Sequence, residues 1–311
     1  MIITVTLNPA LDKTAEIELL KIGQLNRLTN VLTDAGGKGI NVSKMIASLG
    51  GKSVAAGFIG GKTGEEIIAK INELNIETDF ISINGNTRTN LKVIDSGSRL
   101  TELNEQGPLI SKDDILRLTD KMASLAKDGN IFVFAGSLPK GIEPDIYARL
   151  IKAVHKNGAI AFLDADGEAF KAALGEKPDF IKPNLHELKE YFSVKEEIDI
   201  EKTAELCVRF LERGIKTMAL TMGAQGALFL NGKEILFAKG LKVEAKSSVG
   251  AGDSFVGAYA FALEQKLSWK ESMILATAAS AGAVMTQGTK PPSRETVEEL
   301  KKQVEIQKIG G

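Results

Sequence analysis

The chain has 311 residues, 43% hydrophobic and 25% charged, with 39 basic against 40 acidic side chains and a formal net charge of −1. So even a balance excludes the strong field that nucleic acid or an anionic membrane would call for, and the length allows a full core. Cys207 is the only cysteine, which excludes disulfides within the chain and makes a cytoplasmic setting the expectation. Two histidines are too few for a multi-histidine metal site.

Ile2–Leu7 is short, β-branched and mostly apolar, and reads as a strand rather than the core of a signal segment; Asn8-Pro9 ends it. Asp12 follows at the strand's C-terminal end, where α/β sheets place ligands, although taken locally the sequence favours an ordinary turn carboxylate. Residues 15–33 alternate weakly and read as strands of a small sheet. Then comes Gly36-Gly37-Lys38-Gly39-Ile40-Asn41, with a helix expected from Ile40 to Leu49. Three glycines around a lysine let a backbone approach a ligand closely. A flexible loop would share the pattern, but Lys38 and Asn41 suit hydroxyls or a phosphate. Gly51-Lys52-Ser53 and Gly61-Lys62-Thr63 look like the ends of phosphate-binding P-loops. The glycine that such a loop needs upstream is replaced by Ile46 and Ala56, so neither is one.

Residues 80–104 read as short strands joined by polar turns, among them Asn84-Gly85-Asn86 and Ser96-Gly97-Ser98. They are expected to complete a small β appendage covering about 12–34 and 78–106. Arg88, Asn90, Glu102 and Asn104 are its polar members, and would be solvated strand residues if that sheet were merely structural. Beyond residue 110 the pattern becomes regular. Helix 111–127 leads to strand Ile131–Ala135, ending in Gly136-Ser137, and helix 144–157 leads to strand Ala159–Leu163, ending in Asp164. Strand Phe180-Ile181 runs into Lys182-Pro183-Asn184, with Glu187 one turn later. Helix 201–213 leads to strand Thr217–Thr221, followed by Gly223 and Gly226. Such alternation predicts a mostly parallel sheet with helices on both faces, and polar or glycine residues after successive strands predict a shared cleft. A meander over 227–245, an Ala-rich helix over 271–286 and an amphipathic helix over 294–308 complete the reading.

Ser248-Val249-Gly250-Ala251-Gly252-Asp253 precedes a stretch that is uncharged until Glu264 and apolar on nearly every face, so its helix should be buried. The glycines enter its first turn, where free N–H groups and the helix dipole favour an anion. A carboxylate beside phosphates there could take a proton from a hydroxyl nucleophile. A glycine-rich turn with Asp as an ordinary N-cap would look the same locally.

Together, Thr6-Leu7-Asn8-Pro9 with Asp12, Gly36-Gly37-Lys38-Gly39 with Asn41, Lys182-Pro183-Asn184 with Glu187, and Gly250-Ala251-Gly252-Asp253 resemble the ribokinase-like (PfkB) sugar kinases in order and over nearly the whole chain. Thr87-Arg88-Thr89-Asn90 and Thr101-Glu102-Leu103-Asn104 resemble the branch that holds 1-phosphofructokinase and tagatose-6-phosphate kinase. The resemblance implies one α/β kinase domain over 1–311, with the small β-sheet as a lid. It implies ATP- and Mg²⁺-dependent transfer to a ketohexose phosphate: fructose 1-phosphate at its 6-hydroxyl, or tagatose 6-phosphate at its 1-hydroxyl. Arg88/Asn90 followed by Glu102/Asn104 favours the first. Asp253 would be the general base, with Gly250, Ala251 and Gly252 as the anion hole. Asn184 and Glu187 would position Mg²⁺ through water. Lys182, Thr221, Gly223, Gly226 and Ser248 would line the nucleotide with Gly250 and Gly252. Asp12, Gly37 and Asn41 would grip sugar hydroxyls, while Lys38, Arg88 and Arg27 would bind the substrate's own phosphate. Asn90, Glu102, Asn104 and Ser137 would complete the sugar site, and a lid edge could pair two copies into a homodimer. Relatives often show Asp-x-Ser-Gly where this chain has Asp164-Ala165-Asp166-Gly167, so Asp166 is expected to point away from the phosphates. A non-catalytic sensor on the same fold would not need Asp253. An NAD-binding enzyme would need a Gly-x-Gly-x-x-Gly turn where Asn8-Pro9 stands.

Overall fold

The computed structural model describes residues 1–97 and 99–309; Ser98 of the anticipated turn lies outside them. The first strand, β1 (Ile2–Thr6), lies inside the main sheet with all five residues buried. It runs parallel to β4 (Ser53–Ile59) on one side and β8 (Ile131–Ala135) on the other. Burial on both faces requires near-continuous apolar sequence, which is what Ile-Ile-Thr-Val-Thr and Ile-Phe-Val-Phe-Ala provide. Their alternation divides the core. Ile3, Val5, Phe132 and Phe134 face one layer, while Ile2, Ile131, Val133 and Ala135 face the other. Each such large side chain contributes about 1.5–3 kcal/mol through burial.

The sheet continues outward from β4 to β5 (Glu77–Ser82), and from β8 through β9 (Ile160–Asp164), β10 (Phe180–Ile181) and β11 (Thr217–Thr221), all parallel. Three antiparallel strands then close that edge: β12 (Gly226–Asn231), β13 (Ile235–Lys239) and β14 (Ile306–Lys308). A separate sheet in the order β3-β2-β6-β7 is formed by β2 (Ala10–Ile17), β3 (Thr29–Gly36), β6 (Arg88–Asp95) and β7 (Leu100–Asn104). It joins the main body where β1 gives way to β2 and where β3 gives way to α1 (Lys38–Ser48), at the C-terminal ends of the parallel strands.

The remaining helices are α2 (Gly61–Glu73), α3 (Lys112–Leu125), α4 (Ile146–His155), α5 (Gly167–Ala173), α6 (Leu185–Tyr191), α7 (Ile200–Glu212), α8 (Ala251–Glu264), α9 (Trp269–Val284) and α10 (Arg294–Lys301). The central α8 is buried along most of its length, as its uncharged sequence requires. No helix among the described residues is long and apolar enough to cross a membrane.

The structure corrects several expectations. Residues 77–82 belong to the main sheet through pairing with β4, so the second segment of the small sheet starts at Arg88. The C-terminal helix stops at Lys301, and the tail turns back as β14 along β13. The meander ends at Lys239, leaving 240–249 without regular structure. Gly61-Lys62-Thr63, rejected as a P-loop, opens the amphipathic helix α2.

Candidate active site

Three chain entries converge at the C-terminal edge of β1. The first is the start of α8. Gly250 is its N-cap in the left-handed conformation (φ 81°), and a Cβ there would come within 3.3 Å of the Thr289 Cα. No side chain caps this terminus, so the first N–H groups of the 14-residue helix are left for a ligand. Asp253 is the only acidic residue of that first turn and is 8% exposed.

The second entry is α1. Gly37 caps it at φ 117°, and a Cβ there would meet Thr6 Cγ2 at 2.7 Å; at Gly39 a Cβ would meet Thr6 Oγ1 at 2.4 Å. These glycines let the first turn of α1 lie directly on the end of β1. That close approach delivers Asn41 to Asp253: Asn41 Nδ2 donates to Asp253 Oδ2 at 2.7 Å.

The third entry is the end of β9. Asp164 is 2% exposed, and its Oδ1 receives Lys38 Nζ at 3.2 Å and lies 3.6 Å from Lys182 Nζ. Its Oδ2 is buried without a partner. Burial alone would push this carboxyl up, but Lys182 and Lys38 outweigh it and hold it below the usual range. Burial works against the charge on Lys38, yet Asp164, Asp253 and Glu187 together raise its pKa. Asp253 goes the other way. Burial and the neighbouring Asp164 raise its proton affinity, against the opposing pull of Lys38, Asn41 and Lys182. The proton affinities of two carboxylates in one cluster are thus driven apart, that of Asp164 down and that of Asp253 up.

Lys38 therefore sits at Asp164, within electrostatic reach of Asp253, rather than with Arg88. Arg88 donates to Asn8 O at 3.0 Å and Glu105 O at 3.1 Å, and its Nε is buried without a partner. With Asn84, Asn86, Asn104 and Lys140 it lines an open cleft of about 820 Å³. Ser137 is exposed just past Gly136, where a Cβ would lie 3.8 Å from the Lys38 Cβ. Arg27 is exposed on the segment between β2 and β3 and makes no ion pair among the described residues.

The small sheet aligns the sugar-site candidates. Asp34, Asp12, Asn90 and Asn104 are register partners across β3, β2, β6 and β7. Asn90 Nδ2 donates to Asp12 Oδ1 at 3.0 Å, and Lys92 Nζ to Asp12 Oδ2 at 2.9 Å. A Cβ on Gly36 would stand 2.6 Å from that carboxylate, which explains the glycine. Glu102 is not brought into this group and stays exposed. Lys92 and the Lys44–Asp34 ion pair (2.7 Å) escaped the sequence reading. The period-2 alternation through Arg88 and Asn90 pointed to Lys92 as the next residue on that face.

Asn184, just past the end of β10, pairs with Thr221 at the end of β11. Its Oδ1 accepts from the Glu187 N–H at 2.9 Å, while Glu187 Oε2 accepts from the Asn184 N–H at 2.8 Å. This capping box occupies the Asn184 side-chain oxygen and one oxygen of Glu187. The described residues contain no cluster of three His, Cys, Asp or Glu that could hold a metal ion directly. The Glu187 oxygen that the capping box leaves over suits a hydrated ion such as Mg²⁺, which takes oxygen ligands and keeps most of its waters. Asp166 caps α5, is exposed, and makes no ion pair among the described residues. Gly223 (φ 57°) and Gly226 (φ 118°) flank the turn after β11. A Cβ at Gly226 would collide with Ala238 O at 2.0 Å, so strand packing accounts for that glycine. Ser248 is exposed on the irregular approach to Gly250.

The profile of "pfkB family carbohydrate kinase" matches residues 5–296. A "1-phosphofructokinase" of Bacillus subtilis is 35% identical over 309 residues, 99% of this chain and 100% of the relative. One from Vibrio cholerae is 31% identical, covering 98% of this chain and 96% of that protein. The solved structure of phosphofructokinase-2 from Escherichia coli in complex with fructose-6-phosphate superposes with a TM-score of 0.91 at 28% identity, over 97% of this chain and 98% of that one. With its N-terminal motifs, small sheet and Gly250–Asp253 turn all inside the matched span, the chain belongs to the pfkB family of carbohydrate kinases.

Proposed function

We propose that this kinase transfers the γ-phosphoryl group of ATP to the 6-hydroxyl of fructose 1-phosphate, giving fructose 1,6-bisphosphate. The observation that carries the reading is the Asp253 carboxylate, held by Asn41 beside the uncapped start of α8. A hydroxyl placed there meets a base of raised proton affinity and, alongside it, N–H groups aimed at the charge that develops on the transferred group. The name shared by the B. subtilis and V. cholerae relatives supports this choice of sugar.

Asp253 accepts the proton of the attacking hydroxyl. Gly250, Ala251 and Gly252 supply the N–H groups of the anion hole. Lys38 and Lys182, both ion-paired to Asp164, bring two positive charges to the transferred phosphoryl. Asp12, with Asn90 beside it, accepts from sugar hydroxyls, and Arg88 with Asn104 and Ser137 receives the phosphate that the substrate already carries. Thr221, Gly223 and Ser248 line the nucleotide. Glu187, oriented by Asn184, would hold Mg²⁺ through water, and the bound ion would supply neutralisation of phosphate charge. Exposed Val31, Leu32, Leu100 and Leu103 on the small sheet support pairing of two copies through that sheet.

The test is ADP release with Mg·ATP against fructose 1-phosphate, tagatose 6-phosphate and fructose 6-phosphate in parallel. Preference for fructose 1-phosphate is expected. Preference for a 6-phosphate would keep the transfer chemistry and overturn the assignment of the sugar.

A further inference from the structure

Asp12 and Asp34 stand directly opposite each other on antiparallel strands, an arrangement that repels if both are ionised. Each is met by its own lysine. Lys44, 3% exposed on α1, reaches Asp34 Oδ2 at 2.7 Å, while Lys92, 8% exposed on β6, reaches Asp12 Oδ2 at 2.9 Å. Burying a lysine is expensive, so these two need an explanation. Arg88, Asn90 and Lys92 alternate along one face of β6, and Asn90 takes the other oxygen of Asp12. Gly36 supports the carboxylate from behind, since a Cβ at that position would overlap all three of its outer atoms.

We infer that Lys92 is a positioning residue for the phosphosugar: it holds the Asp12 carboxylate with one lone pair of each oxygen turned toward the sugar. The inference rests on the proposed role of Asp12 as a sugar ligand. An ionised carboxylate is an acceptor only, with about four lone-pair directions. Asn90 and Lys92 occupy one on each oxygen. The two left over match neighbouring hydroxyl donors, and a carboxylate anchored at both oxygens cannot rotate to receive anything else. Lys92 thereby sets selectivity for a substrate that presents two adjacent hydroxyls, and it does so without touching the substrate.

A double-mutant cycle in the full-length enzyme tests this, using Asp12→Asn, Lys92→Met and the pair. Asp12→Asn should raise the phosphosugar KM and leave the KM for Mg·ATP unchanged; if it does not, Asp12 is not a sugar ligand and the underlying reading fails. Lys92→Met should raise the phosphosugar KM about 10- to 100-fold. The double variant should be no worse than Asp12→Asn alone, because Lys92 acts only through Asp12. Additive losses would overturn the inference by showing that Lys92 reaches the substrate directly. Unchanged phosphosugar KM in Lys92→Met would also overturn it. Lys92→Arg keeps the charge and guards against loss of folding: thermal unfolding near wild type with partial recovery of KM is expected, and wild-type stability with no recovery counts against positioning.

Discussion

Asn41 Nδ2 lies 2.7 Å from Asp253 Oδ2, joining residues 212 positions apart in the chain. One comes from the glycine-cradled start of α1 and the other from the start of α8, so two helix N-termini share one carboxylate. Asn41 Oδ1 is buried without a protein partner, which leaves the pair with an unused acceptor. That contact supports two opposite expectations for the base.

Asp253→Asn should lower kcat by about 10²- to 10⁴-fold while ATP binding, read by calorimetry, stays near wild type. The same change should stabilise the fold. A carboxyl whose folded pKa is raised contributes stability below its unfolded pKa and loses that contribution as pH rises through the folded value. The variant's advantage in thermal unfolding should therefore grow from acid toward neutral pH. Turnover near wild type would remove Asp253 from the base role.

Asn41→Ala should move the acidic limb of the kcat profile to higher pH. The Asn41 hydrogen bond is one of the influences holding the Asp253 pKa down, and the base works only when ionised. A limb that stays in place would mean that another group titrates there.

The site was legible in the sequence to the extent that it is local. Gly37 and Gly250 announce helix starts with positive φ, and the motifs around them carry Asn41 and Asp253 within a few residues. What joins those starts is strand order in the main sheet, which no stretch of sequence states. The same limit explains the misplaced strand at 77–82: its alternation suits either sheet, and only pairing with β4 decides. Lys92 and Lys44 were passed over because a lysine in a half-polar strand or an amphipathic helix reads as solvated. Their burial depends on Asp12 and Asp34 meeting across β2 and β3.

Lys38→Met distinguishes the two places a cation could serve. If its ammonium, held at Asp164 and within electrostatic reach of Asp253, acts in the transfer step as proposed, kcat should fall about 10²-fold with little change in the phosphosugar KM. A raised KM with kcat intact would return Lys38 to the substrate's own phosphate.

Arg88→Ala should raise the KM of the phosphosugar about 10- to 100-fold and that of Mg·ATP far less. Part of the loss will come from Asn8 O and Glu105 O, which the guanidinium ties together at the base of the small sheet. Arg88→Lys should restore charge but not this fork, and recover little. Equal effects on both substrates would remove Arg88 from the phosphate role.

Asp164→Asn separates electrostatics from packing, because the two side chains have nearly the same shape. Losing the charge leaves the buried Lys182 and the half-buried Lys38 without their shared anion, at a cost of about 3 kcal/mol. The sign with pH follows from the depressed native pKa. Such a carboxylate stabilises the fold above its unfolded pKa of about 4, and the contribution disappears as pH falls through the native value. Urea unfolding should thus show the wild type losing stability in acid while the variant, weaker at neutral pH, changes less over the same range. Turnover carries a second signature. The Asp164 charge helps raise the Asp253 pKa, so its removal should shift the acidic limb of kcat to lower pH even as the maximum rate falls. A variant that keeps full stability and an unmoved limb would show that the two lysines do not depend on Asp164.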